Sequence, residues 1–177
     1  MTRPKLSKDE LIEMIKVHPV PEAVKLVGIR GYYKDSMGVP GANDIGIYDD
    51  AIFLIGPSIF LAFNGNTDPS KHRAGIAKLL PGVHYYKKGK HGISKPGGGY
   101  AAFRPDTPDE GLPVTRDGQD GIKRGIAINI HKGSFNGTSS EGCQTIFPDQ
   151  WIQFQTEVYH AMDMEGQKRI PYILIEQ

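Results

Sequence analysis

The chain has 177 residues, a length that supports one compact domain and no second full one. Its 22 glycines and 13 prolines make up about a fifth of the residues, which excludes a helical bundle, while 38% hydrophobic content suffices for a core and excludes disorder as the main state. Charge balances at 21 Lys+Arg against 20 Asp+Glu, so no global field recruits nucleic acid, and no apolar run reaches the roughly 20 residues of a membrane helix.

Ser7 and Glu10 form a capping-box pattern ahead of Leu11, Ile12, Met14 and Ile15, so a short helix is expected over residues 8–17, closed by Pro19 and Pro21. Residues 22–27 read as one or two further turns, which makes 1–27 an N-terminal helical arm. From Gly28 the chain changes to short β-branched and aromatic runs cut by Gly, Pro, Asn and Asp, the texture of an antiparallel sheet domain over 28–177. Strands are expected at 45–48, 51–55, 59–64, 82–86 and 100–103, with Lys88-Gly89-Lys90-His91-Gly92 as a loop. Residues 112–116 and 122–130 read as a hairpin around Asp117 to Gly121. In its second arm Ile126, Ile128 and Ile130 share one face, and Ala127, Asn129 and His131 the other. Trp151, Phe154, Val158 and Met162 draw one apolar stripe along a helix over 148–162, and 170–175 is a terminal strand. The expected class is α+β, mainly antiparallel β, with a helical arm in front and a helix near the end.

Chemistry concentrates between residues 126 and 147. A strand delivers His131 into a loop rich in Gly, Ser, Thr and Asn, and that loop delivers the only cysteine, Cys143, just before a helix. A single thiol forms no internal disulfide and no multi-thiolate zinc site. Taken alone it reads as a small buried hydrophobe, but Ser139, Ser140, Glu141, Gly142 and Gln144 are not a core context. A thiol of ordinary pKa near ~8.5 needs a base to act as a nucleophile at neutral pH, and His131 is the nearest in sequence. The amides around Gly142 and Cys143 are candidates for an oxyanion site. His84, His91 and His131 show no HExxH spacing and no acidic partners, so no metal and no cofactor is expected. Lys87, Lys88, Lys90, His91 and Lys95 read as a solvated hairpin tip, and Gly97 to Gly99 as a flexible connection.

His131 at a strand end, followed by a Gly-rich loop and then Ser140-Glu141-Gly142-Cys143 ahead of a helix, resembles the L,D-transpeptidase catalytic domain. That family's signature is Ser/Thr-His-Gly-Cys with an upstream histidine. Leu80-Pro81-Gly82-Val83-His84-Tyr85 is similar to its Pro-x-Gly-x-aromatic strand, and 45–64 to its opening strands; the resemblance covers about residues 44–151. It implies a β-sandwich that attacks an L,D peptide bond in peptidoglycan stem peptides through a thioester. Cys143 would be the nucleophile, and His131 the base, oriented by the backbone carbonyl of Lys132 or Gly133. Gly142 would serve the oxyanion, and Ser140, Glu141 and Gln144 the substrate.

The sequence departs from that pattern at Glu141, where the family has histidine, and at Gln144-Thr145, where it has Ile/Val-Arg; the loop is also shorter. With an N-terminus that does not read as a secretory signal, these departures favour a hydrolytic, phage endolysin-like member. It is expected to be a monomer made in the host cytoplasm that acts on peptidoglycan after release, with no nucleic-acid partner and no membrane insertion. The alternatives are an interbacterial toxin or a transpeptidase with the same site, or an inactive cell-wall-binding or virion protein.

Overall fold

The computed structural model describes residues 1–177. The capping box forms: the Ser7 hydroxyl accepts the Glu10 N–H while the Glu10 carboxylate accepts the Ser7 N–H at 2.8 Å, starting α1 (Lys8–Ile15). Ten strands follow: β1 (Lys25–Arg30), β2 (Asp50–Ile55), β3 (Phe60–Asn66), β4 (Ala77–Leu79), β5 (Gly82–His91), β6 (Tyr100–Pro105), β7 (Gly111–Arg116), β8 (Gln119–Ile126), β9 (Ile130–Lys132) and β10 (Gln144–Ile146). A single 3-10 turn (Pro148–Gln150) then leads into α2 (Trp151–Met164) and the terminal β11 (Arg169–Glu176).

The class is α+β, mostly antiparallel, with two α-helices, as the sequence texture indicates. In place of the expected sandwich, eight strands close into a barrel in the order β1-β11-β5-β6-β9-β10-β3-β2, and β4-β7-β8 form a separate sheet. Closure comes from β11, which pairs in parallel with β1 and antiparallel with β5, so the two edges a sandwich would leave open are joined. β9 and β10 form the other parallel pair.

Period-two alternation explains the solid apolar runs of β1, β2 and β11. Leu26, Ile52, Leu54, Ile170, Tyr172 and Leu174 face the main core, where the α2 stripe of Trp151, Phe154, Val158 and Met162 also packs. Val27, Ile29, Ala51, Phe53 and Ile173 face the other way, onto Leu11 and Ile15 of α1. The arm therefore covers a second apolar face of the barrel wall. Gly28 has a packing reason: a Cβ there would lie 2.1 Å from the Tyr172 hydroxyl.

Several local expectations are corrected. Residues 25–27, read as helical turns, open β1, because their apolar side chains are taken up by both cores. Residues 45–48 form a turn, held by the Asp49 carboxylate accepting the Asp44 N–H at 2.9 Å. The expected loop at 88–92 is strand as far as His91, paired with β6. The arm 122–130 breaks at Ala127, whose φ of 55° ends β8, so Ile126 is exposed while Ile128 and Ile130 are buried.

Candidate active site

The strand order β5-β6-β9-β10 puts four side chains from distant parts of the sequence beside one another. His91 ends β5, Tyr100 begins β6, His131 sits in the middle of β9, and Cys143 immediately precedes β10. Because β10 runs parallel to β9, the loop from 133 to 143 must return along the strand before pairing. It brings Gln144 opposite Ile130, and the Gln144 N–H bonds the Asn129 carbonyl at 2.9 Å. That return places Cys143 next to the histidine. The ligating atoms of His91, His131 and Cys143 lie within 4.8 Å of one another.

His91, His131 and Cys143 line an open groove of about 790 Å³, together with Ala127, Ser140, Glu141, Lys95 and Arg116. The His131 Nδ1–H donates to the Lys132 carbonyl at 2.7 Å, with the Tyr100 hydroxyl at 3.1 Å, which leaves Nε2 as the ring nitrogen available to the sulfur. The Cys143 Sγ–H points at the Ala127 carbonyl, 3.6 Å away, which the left-handed conformation of Ala127 turns toward it. Burial pushes the His131 pKa down to about 3, with His91 acting in the same direction and the Lys132 carbonyl against it. Burial likewise raises the Cys143 thiol to about 11, opposed by the Asn129 amide and assisted by Glu141. The resting pair is therefore neutral imidazole beside neutral thiol.

The loop before the cysteine is tightly made. The Ser140 hydroxyl accepts the Gly142 N–H at 3.0 Å and donates to the Cys143 carbonyl at 2.7 Å, and the Ser140 N–H bonds Ser70 Oγ at 2.5 Å. Gly142 has φ +121°, and a Cβ would lie 2.8 Å from the Ala77 carbonyl oxygen, so only glycine fits this approach.

These contacts change several expected roles. The Gly142 amide is engaged by Ser140, which leaves the Cys143 amide, bonded to no protein acceptor, as the free backbone donor next to the sulfur. Ser140 is buried and clamps the turn. Gln144 is fully buried, donating to the Gly142 carbonyl at 3.2 Å and accepting the Tyr172 O–H at 3.0 Å, and it does not line the groove. Of the two carbonyls expected to orient the histidine, that of Lys132 accepts the Nδ1–H, and the ring makes no hydrogen bond to that of Gly133. Glu141 is exposed at the groove, and Arg73 pairs with it at 2.8 Å, which partly answers its charge.

His91, Tyr100 and Asn129 are the participants that sequence reasoning missed or discounted. The His91 and His131 rings stack at 3.8 Å between centroids with 19° between planes, and Asn129 Nδ2 lies 3.1 Å from His91 Nδ1. A signal for Asn129 existed, since it shares a strand face with His131. His91 enters the sequence reading only in a histidine grouping without metal-site spacing, because its contact with His131 depends on which strands become neighbours. His84, grouped with these histidines in the sequence, lies elsewhere, with Nε2 2.8 Å from the Leu80 carbonyl oxygen.

Comparison with protein-family models, with curated proteins and with solved structures gives no match for this chain.

Proposed function

We propose that the protein is a cysteine-dependent peptidoglycan hydrolase of the L,D-transpeptidase type, cleaving an L,D peptide bond in stem peptides through a thioester acyl-enzyme. The observation that carries this reading is the placement of Cys143 within 4.8 Å of a histidine whose Nδ1 is held by a backbone carbonyl, in an open groove. The order of groups along the chain, His131 then Ser140-Glu141-Gly142-Cys143, supports the family assignment within a mostly antiparallel β fold.

From the neutral resting pair, His131 Nε2 takes the thiol proton as sulfur attacks the scissile carbonyl, so base action and bond formation run together. The developing oxyanion lies against the Cys143 amide. Collapse breaks the C–N bond, and the same imidazolium protonates the departing amine. Water, deprotonated by His131, then attacks the thioester and frees the thiol. Lys95 and Arg116 in the groove suit a substrate with free carboxylates, as stem peptides have. The setting that fits best is a phage endolysin-like protein, monomeric, that reaches the wall after release from the cytoplasm.

The test is digestion of purified sacculi followed by mass spectrometry of the released muropeptides. Loss of one residue from a stem, or opening of a cross-bridge, is the expected product. Co-sedimentation with sacculi and no released fragment would instead indicate an inactive wall-binding protein, and a new cross-link a transpeptidase.

A further inference from the structure

Three donors that bind borderline metals converge in the groove: two imidazoles and one thiol, with ligating atoms all within 4.8 Å of one another. We propose that His91, His131 and Cys143 form a binding site for a thiophilic divalent cation, Zn2+ being the best match, and that the bound ion masks the nucleophile. The binding half stands on geometry alone; the masking half rests on the function proposed above.

The donor set is one that zinc accepts, and three protein ligands with a fourth position open to the groove describe an accessible rather than a closed site. Tetrahedral coordination at Zn–N of about 2.0–2.1 Å and Zn–S of about 2.3 Å places donors roughly 3.3–3.6 Å apart. The ion therefore draws the present donors together by no more than about 1.5 Å.

Each histidine also has the support a metal ligand needs. The Nδ1–H of His131 is fixed by the Lys132 carbonyl, the arrangement that orients Nε2 toward an ion. The Nδ1 edge of His91 is met by Asn129, a residue only 3% exposed whose Oδ1 makes no hydrogen bond. A half-turn of the carboxamide exchanges its oxygen and nitrogen within the same volume. With its oxygen turned to His91, Asn129 accepts the Nδ1–H and leaves the Nε2 lone pair of His91 for the ion. The near-parallel stacking of the rings at 3.8 Å carries both ring edges side by side.

Binding converts Cys–SH and Zn2+ into a zinc thiolate and releases the thiol proton to solvent, while the two imidazoles ligate as neutral groups. The sulfur lone pair and His131 Nε2 are then both occupied, so neither attack nor proton transfer is available. His91 is the residue that distinguishes this site from an ordinary cysteine–histidine pair.

The test uses Co2+ as a spectroscopic probe and Zn2+ as competitor on the full chain freed of metal by chelation. Expected is one Co2+ per chain with a thiolate-to-cobalt charge-transfer band and visible bands of tetrahedral intensity, displaced by Zn2+. Cys143→Ser should abolish the charge-transfer band, and His91→Ala should weaken binding at least tenfold. Circular dichroism confirms that each variant is folded, and His91→Gln provides a second, less disruptive probe. Absence of the charge-transfer band, or wild-type Co2+ affinity in both His91 variants, overturns the site. In sacculus digestion, one equivalent of Zn2+ should stop cleavage by the metal-free protein and a chelator should restore it. Cleavage that persists or rises at saturating Zn2+ overturns the masking. If the metal-free protein cleaves nothing, the hydrolase reading fails and masking fails with it, while the cobalt spectrum still decides the site.

Discussion

Two buried polar clusters adjoin one another behind and in front of the Cys143 turn, and they differ in which groups remain free. In the closed cluster Arg30, fully buried, donates to Thr67 Oγ1 at 3.0 Å and to the carbonyls of Thr67 at 2.7 Å and Leu79 at 3.0 Å, and it pairs with Asp68 at 3.3 Å. Both Asp50 oxygens accept amides, from Gly31 and Thr67, at 2.6 Å each. In the groove, His131, His91 and Cys143 line the cavity and each holds a ligating atom within 4.8 Å of the other two. Gln144 links the two regions, reaching the Thr67 carbonyl at 3.5 Å and the Gly142 carbonyl at 3.2 Å. The closed cluster fixes the wall, and the groove uses that wall to hold donors whose bonding capacity is left over. Polar burial alone thus does not mark a site; unengaged donors and acceptors facing an opening do.

The contrast predicts a separation of effects, the largest being on activity. Cys143→Ala should remove all measurable release of muropeptides while changing stability by less than about 1 kcal/mol, since the side chain gives up only one weak S–H···O contact. Residual release at a substantial fraction of the wild-type rate would refute the nucleophile assignment. Next is the protonation state of the groove. With the thiol raised to about 11, its thiolate fraction at pH 7 is on the order of 10⁻⁴, against about 3% for an ordinary cysteine. Alkylation by iodoacetamide should therefore run about two orders of magnitude slower than for a free thiol at pH 7, with its inflection well above pH 9. An inflection below pH 8 would mean a preformed thiolate–imidazolium pair instead.

The closed cluster should respond in the opposite manner, through stability. Burial raises Asp50 to about 7, with Asp68 and Asp49 adding to it, against about 3.9 in the unfolded chain. Its contribution to stability is thus fully present below about pH 4 and lost as pH rises through 7. His131, lowered to about 3 from about 6.5, has the reverse sign: its contribution is present above pH 6.5 and lost as pH falls toward 3. Asp50→Asn removes the first slope and leaves the second, so stability should climb more steeply between pH 4 and 7 than in the wild type. It should also cost about 1–3 kcal/mol at pH 7, because one amide N–H then faces an NH2 group. Denaturant titrations at several pH values measure both effects, and an unchanged pH slope would show that Asp50 does not titrate in this range.

How much of this was legible in the sequence follows from the range of each interaction. The capping box, the α2 stripe and the runs of β2 and β11 are local patterns, and they formed where their spacing placed them. His131 and Cys143 were legible as a pair because a single loop joins them. Barrel closure was not, since it depends on β11 meeting both β1 and β5 across most of the chain. The same non-local pairing hid His91, and the burial of Gln144 reflects a hydrogen bond to Tyr172 that no spacing announces. Residues 25–27 were misread because their apolar side chains suit either a helix face or a strand buried on both sides, and only the two cores decide.

The smallest effect tests how the groove keeps His131 oriented. The Tyr100 hydroxyl lies 3.1 Å from His131 Nδ1 and donates toward the Lys132 carbonyl at 3.3 Å, so both groups address the carbonyl that fixes the ring. Nδ1–H makes its shorter bond, 2.7 Å, to that carbonyl directly, and this bond survives in Tyr100→Phe. The phenyl ring also keeps the edge-on packing against Trp151, at 6.4 Å between centroids. Cleavage should therefore fall only a few-fold, in kcat more than in KM, with stability altered by less than about 1 kcal/mol. A loss approaching that of Cys143→Ala would show that the hydroxyl, and not the backbone carbonyl, sets the tautomer, moving Tyr100 from a positioning residue to an essential part of the proton path.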